Sequence, residues 1–304
     1  MQITAEMVRD LREKTGAGMM DCKKALTEAN GEMEQAVDIL RTKGLAAAAK
    51  KAGRIASEGV VAANVAGGAG AIVEVNCETD FVAKTDDFVA FVGEVAAIVR
   101  EKAPADNDAA LALPAGAGTV ADLVTEKVAK IGEKLSFRRF ARFALPAGTP
   151  GVIATYLHMG GKIGVMVEIT GSDKEEVAAL GRDLAMQVAA VNPGYVRREE
   201  VPAEVIEREK AIYIEQMQGQ GKPEAMLEKI AAGKLEKFYG DVCLVEQVFV
   251  KDQDKKVTQL VKEVGAKVGA ELAVTRFSRF QVGEGLEKKS EDFAAEVAKT
   301  MEQA

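Results

Sequence analysis

Histidine is almost missing from this chain. Only one of its 304 residues is a histidine, His158, and a lone imidazole excludes the histidine-based clusters that hold many metal ions. Cysteine is nearly as scarce. Cys22, Cys77 and Cys243 lie far apart, form no Cys-x-x-Cys and make no even-numbered set, so no disulfide framework can be read from them. No apolar run approaches the roughly 20 residues of a membrane-spanning helix. Residues 1–14 are polar and charged, without the apolar core of a secretion signal. Together these absences point to a soluble protein of a reducing cytoplasm, with no membrane partner. Positive charge is also in deficit: 40 lysines and arginines face 47 acids, for a formal charge of −7. Affinity for nucleic-acid phosphates rests on clustered cations, so this balance argues against nucleic acid as the main partner.

Catalytic constellations are absent as well. There is no Gly-x-Ser-x-Gly elbow and no nucleophile with a base beside it. Gly16-Ala17-Gly18 with Lys23-Lys24 superficially resembles a phosphate loop, but lacks Gly-Lys-Ser/Thr in register and follows no strand. Gly160-Gly161-Lys162-Ile163-Gly164 lies between two strand-like runs and reads as a hairpin turn. Asp86-Asp87 opens a helix, where capping accounts for both acids. The chain therefore reads as a non-enzyme, with no catalytic residues, no resident metal and no cofactor.

What is present is an α+β chain of about two domains. Its hydrophobic content of 48% can fill a sizeable core. Residues 1–43 read as three short helices. Thr4 caps the first, Met7, Val8 and Leu11 form its stripe, and Gly44 closes the third. Residues 44–57 are alanine-rich with a few cations and read as a partly helical tether.

The remainder is duplicated. Leu123–Phe143 and Leu260–Phe280 match at about 11 of 21 positions, and both end Arg-Phe-x-Arg-Phe. Val73-Glu74-Val75 echoes Val167-Glu168-Ile169, and Gly59-Val60-Val61-Ala62 echoes Gly151-Val152-Ile153-Ala154. Each half reads strand, strand, long helix, helix, strand, with antiparallel sheets expected from the hairpin-like early strands. Glu74 to Leu123 spans 49 residues but Glu168 to Leu260 spans 92, so the second half carries an insertion. Pro202–Tyr239 suits a helical hairpin, with a turn at Gly219–Pro223. Such a hairpin has little core of its own and tends to pack on another surface, often a second copy of itself. Cys243–Val250 reads as an apolar strand rejoining the sheet. Gly283-Glu284-Gly285 reads as a hinge before a last helix, Ser290–Gln303. The expected divisions are 1–54, 55–145, 146–282 with the insertion at about 199–240, and 283–304.

Three stretches carry candidate contacts. Thr79–Lys84 connects a β-branched run to an amphipathic helix and places Phe81 and Val82 beside Asp80. Either Phe81 folds back beneath its loop, or it is a probe for another protein. Met19 and Met20 open the second helix, and both cannot face one core. One is buried and the other a scattered surface residue, or a methionine near Arg12 and Lys23 serves as adaptable contact material. Arg138, Arg139 and Arg142 alternate with phenylalanines. They either pair with nearby carboxylates or stack single-stranded nucleic acid. His158 by itself reads as a polar strand-end residue.

Leu11–Leu26 and Glu74–Lys84 resemble signatures of the bacterial translation elongation factor Ts family. So do Lys130-Ile131-Gly132-Glu133, Gly221-Lys222-Pro223 and Asp292–Ala298, in order along essentially the whole chain. One departure is Met159, after His158, where other members often have glycine. The resemblance implies a guanine-nucleotide exchange factor for elongation factor Tu, and an N-terminal module like a ubiquitin-associated three-helix domain. It implies that Arg12, Met19, Met20 and Lys23 touch the GTPase domain. Asp80 and Phe81 match the family's wedge, and Thr79, Asp80, Phe81 and Val82 match a segment tied to loss of Mg²⁺ from the partner. Ile131 and Gly132 match further contacts, and His158 would face the partner's C-terminal barrel. The last helix would pack on the GTPase domain, and the inserted hairpin matches a dimerisation region. Two other readings stay open: an RNA-binding protein using its Arg-Phe strands, and an assembly protein without exchange activity.

Overall fold

A computed structural model of the chain describes residues 3–15, 17–217 and 224–287. Thr4 opens the first helix as expected. Its hydroxyl accepts from the amide of Met7 at 3.2 Å, starting α1 (Ala5–Thr15). After α2 (Met19–Glu28), the positive φ of Asn30 and Gly31 turns the chain into α3 (Met33–Lys51). Val8, Leu11, Cys22, Ala25, Leu26 and Ala36 meet in one small buried core.

The expected stop at Gly44 does not occur. The third helix continues to Lys51 and takes up much of the segment read as a tether. Gly44 is buried inside it, and a Cβ there would lie 3.6 Å from the Cβ of Ala129. Its smallness lets α3 approach the helix Val120–Ile131, and Arg41 pairs with Asp122 at 2.7 Å across the same contact. Packing against that helix outweighs the roughly 1 kcal/mol by which glycine disfavours a helix interior.

The chain divides into two compact units. The first gathers the described residues of Met1–Val61, Val73–Phe140 and Gln281–Ala304, and the second is Ala62–Ile72 with Ala141–Phe280. After α3 come β1 (Glu58–Ala66), β2 (Ala69–Cys77), α4 (Asp80–Ala83), α5 (Asp86–Lys102) and α6 (Asn107–Leu111). A two-stranded hairpin, β3 (Pro114–Ala115) with β4 (Gly118–Thr119), leads into α7 (Val120–Ile131) and β5 (Ser136–Ala144). The sheet order is β1-β2-β5. Phe88, Phe91, Val92, Val95 and Val99 of α5 are buried, as their spacing predicts. The cap of α5 is Thr85, whose hydroxyl accepts from the amide of Phe88. Asp87 instead pairs with Lys127 and Lys130 at 2.8 and 3.2 Å.

The second half repeats the plan. β6 (Gly151–His158) and β7 (Ile163–Thr170) pair antiparallel, with His158 opposite Ile163 across the expected glycine turn. α8 (Glu175–Val191), α9 (Ala203–Met217) and α10 (Glu224–Val242) follow, then β8 (Val248–Phe249), β9 (Asp252–Lys256), α11 (Val257–Val268) and β10 (Ala273–Gln281). The order in this sheet is β10-β7-β6. Val165, Val167, Ile169, Leu184, Val188 and Leu244 sit in its core.

The inserted hairpin is α9 with α10, where the length difference placed it; its turn lies outside the described residues. The strand expected over Cys243–Val250 is not part of the main sheet. Leu244–Glu246 is a 3-10 turn, and only Val248–Phe249 is strand, paired with β9 in a separate ribbon. That ribbon precedes α11 just as β3–β4 precedes α7, so it belongs to the duplication, which the apolar run by itself does not reveal.

Arg198 ties the base of the hairpin together. Its guanidinium pairs with Glu246 at 2.6 Å and Glu236 at 3.1 Å, and lies 4.7 Å from the centre of the Tyr239 ring. The hydrogen bonds to Glu246 and Glu236 hold its proton even more tightly than usual. Arg198 is partly solvated, which limits its energetic weight. Arg198→Ala is expected to lower stability by about 1 kcal/mol and to raise amide exchange selectively in α10. Unchanged exchange there would show that the pairing contributes nothing.

Cys22, Cys77 and Cys243 are buried, and none of them is in a disulfide. Burial raises the Cys22 thiol above its usual range and pushes Cys243 up to about 11. Thiols held protonated and out of solvent are poor nucleophiles. Alkylation of the folded protein at neutral pH is therefore expected to be slow, and stoichiometric labelling within minutes would contradict this.

Candidate functional site

The site begins where β2 ends. Asn76 and Cys77 are buried, and the Cys77 thiol donates to the carbonyl of Thr79 at 3.1 Å. Thr79 is extended, and its hydroxyl accepts from the amide of Val82 at 3.3 Å, capping the four-residue helix α4. Positions two apart on a helix lie about 200° apart, so Ala83 is buried while Phe81 faces away. Phe81 is 80% exposed, and the reading in which it folds back beneath its loop is overturned. A helix this short has one inward face, and the small alanine fills it. Asp80 pairs with Lys84 at 2.6 Å, and Val82 is half-buried.

A second strand of chain holds this loop. α7 ends at Gly132, whose φ of 84° is left-handed and suits glycine. The turn aims Glu133 at the loop. One carboxylate oxygen accepts from the amides of Glu78 and Thr79, each at 3.0 Å, and the other accepts from the Thr79 hydroxyl at 2.6 Å. The return contact is Glu78, whose carboxylate accepts from the amide of Lys134 at 2.6 Å and pairs with Arg54 at 3.2 Å. Ile131 is half-buried and Gly132 exposed. The structure thus brings Ile131 and Gly132 beside Thr79–Val82. Sequence reasoning did not single out Glu133 or Glu78; the only signal was that each lies within a family-like motif, Glu78 in Glu74–Lys84 and Glu133 at the end of Lys130–Glu133.

Arg12, Met19, Met20 and Lys23 lie on α1 and α2, and all are exposed. The expectation that one methionine would be buried fails: Met19 is 59% and Met20 63% exposed. The buried stripe of α2 begins only at Cys22, so the first turn overhangs the core. His158, in the other unit, is an exposed strand-end residue. Its Nδ1 lies 3.0 Å from the Tyr156 hydroxyl, between exposed Leu157 and Met159.

The Arg-Phe strands resolve toward carboxylates. Glu74 is fully buried, with Arg138 on one oxygen at 2.9 Å and Arg139 on the other at 2.6 Å. The Gly283 amide donates to Glu74 at 2.8 Å, so the stretch read as a hinge is anchored here. In the second half Arg276 pairs with Glu168 at 2.8 Å and Thr275 donates to it at 2.7 Å. Arg139 and Arg276 are the repeat-related pair, as are Glu74 and Glu168. Among the described residues no group of three or more His, Cys, Asp or Glu could hold a metal ion, and no helix is long and apolar enough to cross a membrane.

The site is thus a large exposed aromatic on a loop held by carboxylates from both sides. Comparison with known proteins gives the family. The family model for elongation factor Ts matches residues 78–284. The elongation factor Ts of Syntrophotalea carbinolica is 54% identical over 302 residues, covering 98% of this chain and 99% of the relative. That of Trichlorobacter lovleyi is 52% identical, covering 98% of both chains, and that of Magnetococcus marinus 46%, covering 99% of this chain and all of the relative. The chain belongs to the elongation factor Ts family. Membership makes it a nucleotide-exchange factor of translation, with elongation factor Tu as its partner.

Proposed function

We propose that the chain binds elongation factor Tu in its GDP state, pushes Phe81 between helices of the GTPase domain, and so dislocates Mg²⁺ and releases GDP. The observation that carries this is the exposure of Phe81 on a loop anchored on both sides. Such GTPases hold GDP through phosphate-loop amides, a lysine and Mg²⁺. Shifting the elements that position the metal leaves the diphosphate poorly neutralised, and GDP leaves faster. Arg12, Met19, Met20 and Lys23 dock the N-terminal helices on the GTPase domain, Ile131 and Gly132 extend the wedge contact, and His158 meets the barrel domain. Linkage is reciprocal: the factor weakens nucleotide binding as much as nucleotide weakens the factor. Incoming GTP with its Mg²⁺ therefore expels it, and the factor leaves unchanged, with no covalent step. The engagement of Arg138, Arg139 and Arg276 by buried carboxylates favours this over an RNA-stacking role. The work belongs in the cytoplasm, where three cysteines outside any disulfide are at home.

Stopped-flow release of labelled GDP tests it. The factor should accelerate release strongly in millimolar Mg²⁺, and its advantage should shrink when a chelator has already removed the metal. An advantage of equal size with and without Mg²⁺ would rule out metal dislocation. We also propose the α9–α10 hairpin as a self-association surface. Sedimentation at a single-chain mass at tens of micromolar would dismiss that.

A further inference from the structure

We infer that Glu133 is a positioning residue for Phe81, and that with Glu78 it joins the wedge loop and the Ile131–Gly132 turn into one rigid piece. This rests on the wedge reading above. A single turn of helix has almost no stability by itself, because nucleation is costly. α4 has four residues, and only Ala83 among them is buried. Left to its own interactions it would deflect when an exposed ring is pressed between two packed helices. Its stiffness comes from outside. Glu133 accepts three hydrogen bonds from Glu78 and Thr79, and Glu78 accepts one from the amide of Lys134. The carboxylates cross in opposite directions between the same two short segments, so neither segment can slide or twist without breaking a charge-assisted bond. Thr79 carries both functions. Its hydroxyl donates to Glu133 while accepting from the Val82 amide, so the staple sets the hydroxyl that caps the helix bearing Phe81. Glu133 contacts neither nucleotide nor metal in this scheme. It acts through Phe81.

The experiment is a double-mutant cycle on the full chain with elongation factor Tu holding labelled GDP. Glu133→Ala is expected to lower the maximal rate of factor-stimulated release about tenfold, the scale of a modest misplacement of a working group. In the Phe81→Ala background the same substitution should cost less than about twofold, because the group it positions is gone. Amide exchange at Glu78 and Thr79 in the free protein should rise. Glu133→Gln, which keeps the shape and one acceptor, should fall between, and it carries the test if the alanine variant does not fold. Equal losses in both Phe81 backgrounds, or no loss in either, would show that Glu133 is merely structural. If Phe81→Ala alone releases GDP as fast as the parent, the wedge reading falls, and this role falls with it. A large Phe81 effect beside an additive Glu133 effect overturns this role only.

Discussion

Phe81→Ala should reduce factor-stimulated GDP release by about 10- to 100-fold while leaving the fold intact. An aromatic anchor at the centre of an interface is worth about 2 kcal/mol or more when truncated, and about 1.4 kcal/mol is a factor of ten in rate. The fold should hold because Phe81 is 80% exposed in the free protein. Truncating it opens no cavity, and surface changes of this kind usually fall within ~0.5 kcal/mol. Activity and stability are thus predicted to separate. Urea unfolding should superimpose on that of the parent while stopped-flow release collapses. A variant that releases GDP at the parent rate would leave the wedge without support. A variant that lost activity and stability together would show that the ring packs on its own body.

Glu74→Ala should have the opposite profile: a large loss of stability, about 3–5 kcal/mol, the scale for breaking a buried ion pair from one side. Glu74 has no solvent access and is held by two arginines and the Gly283 amide. Removing it leaves Arg138 and Arg139 beside a carboxylate-sized void, with Glu284 still near as an acid for Arg139, and frees the turn at Gly283. The midpoint of urea unfolding should fall markedly, and a shift of under 0.5 kcal/mol would mean that the cluster is dispensable. Glu168→Ala should cost less, since Arg276 is nearly half exposed and can be solvated. The same cluster predicts a pH dependence. Burial raises the Glu74 carboxyl, but the Gly283 amide and the two arginines outweigh it and hold its pKa below the usual carboxylate range. A carboxyl whose pKa is lower folded than unfolded stabilises fully above the unfolded value, near 4.3. That contribution is lost as pH falls through the folded value. Stability should therefore drop below about pH 4 in the parent, and Glu74→Gln should flatten that slope.

The pattern of residues alone determined a good deal here. The repeat of Leu123–Phe143 in Leu260–Phe280 and the spacing of Glu74 and Glu168 placed two equivalent α+β halves and an inserted helical hairpin. The stripes of α1 and α5 announced their buried faces, and the long motifs around Met19 and Phe81 pointed to the family. These are local matters of period, cap and turn, carried by residues within a few positions of one another. What only the tertiary structure decided depends on which surfaces find cover. The sequence allowed Phe81 to be inside or out, and Ala83 took the inward place. It allowed α3 to stop at Gly44, and α7 arriving against that glycine carried the helix onward. It offered several acids to the Arg-Phe strands, and the fold chose Glu74, 65 positions from Arg139 and 209 from Gly283. The Glu133 staple spans 54 positions. Partners so far apart are brought together by the collapse of whole elements, and no periodicity within either segment records who the other will be.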